Sequence, residues 1–266
     1  MKNRLFRLLL LCLPIIFGSS NAQIGLAPLY VRLSPTESSP TQTIFTVING
    51  SDKSIRFRAV FSPYTFKGTT IQYESTSESD LSPYLRAAPL EFEVPAFSEQ
   101  AIRVVALVPP SLLENELRAA LVLEPLLDTQ LNDSNSNGSL TGQVAYSYQF
   151  IAQMFLGQSG SVEVDIKNVK YSSDQNVQLA VSNSGTTSGI TNINWELTMA
   201  DKQVASSEQA TRFVVLTKGE RVYNLIQGIN LTPGTYTLTG TFGTEDGGEP
   251  PVVINPQPFT KTFTVK

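Results

Sequence analysis

Residues Gly142–Leu156 read GQVAYSYQFIAQMFL. Val144, Tyr146, Tyr148, Phe150, Ala152 and Met154 hold the even positions, and Ser147, Gln149 and Gln153 stand among the odd ones. Successive side chains of a strand point to opposite faces, so this stretch predicts a strand with one apolar face and one mostly polar face. At about 3.3 Å per residue it would reach about 50 Å, against a usual strand of about 5–6 residues. A strand of that length outruns one sheet. It either bends across an ordinary core or leaves a portion to pair with another chain, and periodicity alone allows both.

Short β-type runs surround it on either side, separated by Pro, Gly, Ser and Asn. Thr43–Ile48 ends at the turn signal Asn49-Gly50-Ser51-Asp52-Lys53. Ile55–Phe61 places Phe57 and Ala59 on one face and Arg56 and Arg58 on the other. Tyr64–Tyr73 can form a hairpin about Lys67-Gly68. Leu90–Val94 alternates, turns at Pro95–Ser98 and returns as Ala101–Val108, which predicts a second hairpin. Ser111–Arg118 is the nearest candidate for a helix, and Leu117–Leu123 reads as a strand.

Beyond the long strand, Gly157–Ser161 reads as an interdomain linker. Strand signals then recur at Val162–Ile166, Val177–Val181, Ile190–Met199, Phe213–Leu216, Val222–Ile226, Tyr236–Phe242 and Phe259–Val265. Leu231-Thr-Pro-Gly234-Thr-Tyr236 has the form of a tyrosine corner, and Trp195 reads as a core residue. This pattern predicts an all-β protein with two immunoglobulin-like β-sandwich domains in tandem, over 23–157 and 158–266.

Residues 1–22 have the form of a secretory signal. Lys2, Arg4 and Arg7 precede the apolar run Leu8–Phe17, and Ser20-Asn21-Ala22 is a small-residue cleavage site. Cys12, the only Cys, lies inside the apolar run, so a mature chain from Gln23 has no disulfide and must be held by its core. That mature chain keeps 16 of the 19 Lys and Arg against 23 Asp and Glu, a net charge near −7. Such an acidic chain is poorly suited to nucleic acid or anionic membranes.

The sequence has no His. With no mature Cys either, zinc sites and Cys- or His-dependent nucleophilic catalysis are excluded. No spacing points to a carboxylate pair or a Ser–Lys arrangement. No catalytic residues, cofactor, metal or small-molecule substrate are therefore expected. Asp133–Gly138 matches the first half of a calcium loop, but Val144 stands where the twelfth-position Glu belongs.

Four segments carry a family resemblance: Thr46-Val-Ile-Asn49-Gly-Ser, Pro89–Phe92 through Arg103-Val104, Glu116-Leu-Arg-Ala-Ala-Leu-Val-Leu-Glu-Pro125, and Gly142–Leu156. In this order, after a signal and before a second sandwich, they resemble the periplasmic pilus chaperones of the PapD-like family, and most closely its divergent members. The resemblance implies a periplasmic chaperone whose strand 142–156 completes the open sandwich of a secreted fibre or adhesin subunit. Val144, Tyr146, Tyr148 and Phe150 would fill the subunit's groove, each contributing roughly 1.5–3 kcal/mol if buried there.

The family anchors the subunit's C-terminal carboxylate with a Lys late in the donor strand and an Arg near the chain start. Gln153 and Arg32 stand in those places and are the candidate anchors, although Gln adds no charge to a carboxylate bond. The resemblance also leaves room for transient contact with an outer-membrane assembly protein. The alternative from another class is a structural or adhesive component of a surface fibre.

Overall fold

The computed structural model describes residues 24–34, 41–73, 78–126, 149–157, 160–245 and 253–266, with backbone alone for 244–245 and 253–256. The signal segment, the Asp133–Gly138 motif, Val144, Tyr146 and Tyr148 lie outside the described residues.

The first sandwich comprises β1 (Ile24–Ala27), β2 (Tyr30–Leu33), β3 (Thr41–Asn49), β4 (Ile55–Ser62), β5 (Tyr64–Lys67), β6 (Thr70–Tyr73), β7 (Leu85–Ala88), β8 (Glu91–Val94), β9 (Ser98–Ala106), β10 (Leu117–Pro125) and β11 (Phe150–Leu156). One sheet runs β1-β3-β9-β7 and the other β2-β11-β10-β4-β8, while β5 and β6 pair as a separate hairpin. The chain therefore changes sheets between β1 and β2. Phe57 and Ala59 of β4 enter the core with Phe45, Val47, Ile102 and Val104 of the opposite sheet, and Arg56 and Arg58 face solvent.

The expected hairpin across Pro95–Ser98 is corrected by this topology. β8 pairs with β4, whereas β9 pairs with β3 and β7, so the turn arches from one sheet to the other. Strand-turn-strand periodicity is the same for a hairpin and an arch, because both present one face to the core. Asn49 holds the arch: its buried Nδ2 donates to the carbonyls of Lys53 (2.8 Å), Val94 and Pro95 (both 3.0 Å). The helix considered for Ser111–Arg118 is also absent. The chain makes one 3-10 turn at Pro110–Leu112 before β10 begins at Leu117.

The second sandwich comprises β12 (Val164–Tyr171), β13 (Val177–Asn183), β14 (Gly189–Met199), β15 (Lys202–Ser206), β16 (Thr211–Val215), β17 (Gly219–Ile226), β18 (Gly234–Glu245) and β19 (Val253–Val265). Its sheets run β12-β13-β17 and β15-β14-β18-β19, with β16 beside the first half of β14. The tyrosine corner forms: the Tyr236 hydroxyl donates to the Thr232 carbonyl at 2.9 Å. Trp195 packs, partly buried, against the core of this sandwich.

A third apolar cluster joins the two sandwiches. Tyr64, Ala120, Val122 and Phe155 of the first meet Ile190, Val214 and Leu216 of the second. Leu121 and Leu123 face the first core, while Ala120 and Val122 face this junction. Both faces of β10 are thus covered, which explains its nearly continuous apolar run.

Candidate functional site

β11 lies between the first core and the junction of the two sandwiches. β10 pairs with β11 along its full length, from Leu123 opposite Phe150 to Leu117 opposite Leu156. On its other side β2 runs parallel and covers Gln153 through Leu156. The Gln153 N–H donates to the Leu29 carbonyl at 2.8 Å and the Gly157 N–H to that of Leu33 at 3.4 Å. Alternate residues of a strand turn their N–H and C=O to the same side. Ile151 therefore faces that side too, and among the described residues it has no ladder partner there. Leu29, 50% exposed, sits at the lip of this open edge.

Phe150 is partly buried against the first core, its ring edge-on to Phe57 with centroids 6.2 Å apart. Ala152, Met154 and Leu156 follow it into that core. The even face of β11 is thus the core face, as the periodicity indicated. The odd face is not the polar surface expected. Ile151 and Phe155 pack into the junction, and Gln153 is buried there. The second sandwich covers this face, and its position cannot be inferred from the periodicity of one strand.

Arg32 and Gln153, expected at the seat of a client's terminus, both lie inside the junction. The Arg32 side chain is 3% exposed; its Nη1 donates to Glu116 Oε2 at 3.0 Å and its Nη2 to the Ser188 carbonyl. Glu116 Oε2 also accepts the Ser188 N–H at 2.9 Å, and Glu116 Oε1 accepts the Ser188 hydroxyl. Asn183 positions the loop that carries Ser188, donating from Nδ2 to the Thr187 carbonyl at 2.8 Å. This arrangement is an interdomain clasp. Its guanidinium already holds a carboxylate, so Arg32 is a joint between the sandwiches rather than an open anion site.

Gln153 Oε1 accepts from the Tyr64 hydroxyl at 2.9 Å. Burial pushes the Tyr64 hydroxyl well above the ordinary tyrosine range, against the opposing pull of Arg118. Arg221 lies nearby with its guanidinium 3.8 Å from the centre of the Phe66 ring, and burial lowers its pKa. The Val222 N–H donates to the Gly68 carbonyl at 3.1 Å, so the β5–β6 hairpin also leans on the second sandwich.

Gly160 and Ser161, described residues before the second sandwich, are bound to it. Ser161 N–H donates to Thr186 Oγ1 at 3.1 Å and Thr187 N–H to the Ser161 carbonyl at 3.0 Å. A Cβ on Gly160 would fall 2.3 Å from Thr187 Oγ1, so the close approach requires glycine.

Beside the clasp a cleft of about 490 Å³ opens between the sandwiches, lined by residues including Glu78, Glu114, Arg118 and Lys218. Arg118 is half-buried, and its Nε has no hydrogen-bond partner among the described residues. Sequence periodicity gives Glu116, Ser188, Tyr64 and Arg118 no functional role. Glu116 and Ser188 are 72 positions apart, and no local pattern links them.

No family model and no curated protein matches the chain. Solved structures do. Fimbrial chaperones and their complexes are among the matches. A chain of the CsuC–CsuE chaperone–tip subunit pre-assembly complex from Acinetobacter baumannii Csu pili aligns at 13% identity and a TM-score of 0.48, covering 90% of this chain and 98% of that one. The Pseudomonas aeruginosa CupB2 chaperone aligns at 10% identity and 0.45, covering 89% and 98%. A chain of the Salmonella enterica SafA pilin–SafB chaperone complex aligns at 12% identity and 0.43, covering 93% and 99%.

Proposed function

We propose that this protein is a periplasmic chaperone that holds a secreted surface-fibre or adhesin subunit by adding a strand to it. The carrying observation is the edge of β11 beside Ile151, unpaired among the described residues. Ile151 turns its main-chain groups to a side where β2 does not reach, and an exposed Leu29 borders it. Backbone pairing supplies affinity in strand addition, and alternate apolar side chains supply fit. In sequence, Tyr148, Tyr146 and Val144 continue the alternation that puts Phe150 on its face. They would supply the groove-filling side chains. The seat for a subunit's terminal carboxylate shifts to the cleft, where Arg118 and Lys218 are the cations. No step of this role is catalytic.

The test is expression in a periplasm together with the secreted proteins encoded beside it, followed by mass determination of what co-elutes. A one-to-one complex with a β-rich secreted protein is expected. Homopolymers with no second protein would overturn the proposal in favour of a fibre component.

A further inference from the structure

We infer that Arg32, acting through Glu116, is a latch that sets how much of β11 is offered to a second strand. This rests on the proposal that β11 lends its edge. β2 covers Gln153–Leu156 and leaves Ile151 open, so the start of β2 is the boundary of the available edge. It is four residues long and pairs in parallel, the slightly weaker ladder. Leu33 and half-buried Val31 tie one face of β2 to the first core. Arg32 points to the opposite face, its guanidinium 5.5 Å from the Phe155 ring centre and 3.0 Å from Glu116.

The second sandwich bonds both members of the latch through Ser188, whose carbonyl accepts from Arg32 Nη2. Glu116 also accepts the Ser188 N–H at 2.9 Å and the Ser188 hydroxyl, so docking of the sandwiches reinforces the latch. With it closed, an incoming strand stops against Leu29, and that stop fixes its register. With it released, the N–H groups of Gln153 and Phe155 become available. The incoming strand can then slide in steps of two residues, keeping the same side chains inward. Arg32 is thus a positioning residue for the added strand.

Amide hydrogen exchange on the full chain tests this, comparing wild type with Arg32→Met and the milder Arg32→Lys, which keeps charge but loses the planar fork. In wild type the Ile151 amide should exchange fast and those of Gln153 and Phe155 slowly. In Arg32→Met the latter two should speed up roughly tenfold or more, with a smaller rise in Arg32→Lys. The amides of Phe150 and Ala152, which face β10, should speed up only by the global loss of stability and so stay slower than those of Gln153 and Phe155 in both variants. Unchanged protection at Gln153 and Phe155 would overturn the latch. So would an equal loss across β10 and β11, which would mark Arg32 as a general stabiliser. The measurement uses no client, so failure to capture a subunit would refute strand lending while leaving the latch to be judged separately.

Discussion

The Tyr64 hydroxyl and the Gln153 side-chain carbonyl meet at 2.9 Å inside the junction between the sandwiches. Tyr64 is 1% exposed and Gln153 6%, so water cannot readily replace either partner. Tyr64→Phe would leave the Gln153 oxygen buried without this donor. Orphaning a buried polar group costs about 1–3 kcal/mol. Urea denaturation should show a loss in that range with an unchanged m-value. A loss near zero would mean that solvent reaches Gln153.

The same hydroxyl predicts a pH effect. Burial raises its pKa in the folded state well above the ordinary value near 10. Above that pH the unfolded chain releases a proton that the folded chain retains. Stability should therefore be undiminished by this group below about pH 10 and fall as pH rises beyond it. Tyr30 and Tyr73 are also raised by burial and act with the same sign. Tyr64→Phe should flatten the alkaline decline without abolishing it, as read from denaturation midpoints between pH 9 and 11 (about one unit either side of the unperturbed value). Identical slopes would contradict the burial of Tyr64.

Arg32 and Glu116 are buried partners, with side chains 3% and 2% exposed. Removing one leaves the other charged in a dry site, at about 3–5 kcal/mol. Arg32→Met should lose that much stability. The double variant Arg32→Met/Glu116→Gln should lose less than the sum of the single variants, by about 0.5–3 kcal/mol of coupling. Additive losses in a double-mutant cycle would show that the two do not interact.

Gly160→Ala should loosen the joint. Its Cβ would fall 2.3 and 2.4 Å from the hydroxyls of Thr187 and Thr186. Relieving such overpacking costs about 1–3 kcal/mol. Calorimetry should show a lower Tm and a broadened or split transition, because the linker would lift from the second sandwich. An unchanged transition would mean that the linker carries none of the coupling.

Much of this fold could be read from periodicity. Phe57 against Arg56 and Arg58 identified β4, and Tyr236 after Pro233-Gly234 marked the corner now seen bonded to Thr232. Period-2 patterns report which face of a strand is buried, not which strand lies beside it. β8 and β9 consequently read as a hairpin although they lie in opposite sheets. The junction was illegible for the same reason. Gln153 reads as polar surface, yet a hydroxyl from Tyr64, 89 positions away, donates to it inside the junction. Arg32 stood out as the basic residue near the start of the mature chain, but its role depends on a Ser188 that no nearby residue announces.

The central claim is that the edge of β11 beside Ile151 receives another protein's strand. The decisive measurement is residue-resolved hydrogen exchange on the one-to-one complex recovered by periplasmic co-expression, set against the chain alone. The Ile151 amide should be fast in the free chain and strongly protected in the complex, with Gln153 and Phe155 slow in both. A stable complex that leaves Ile151 exchanging as in the free chain would place the client elsewhere and contradict the account.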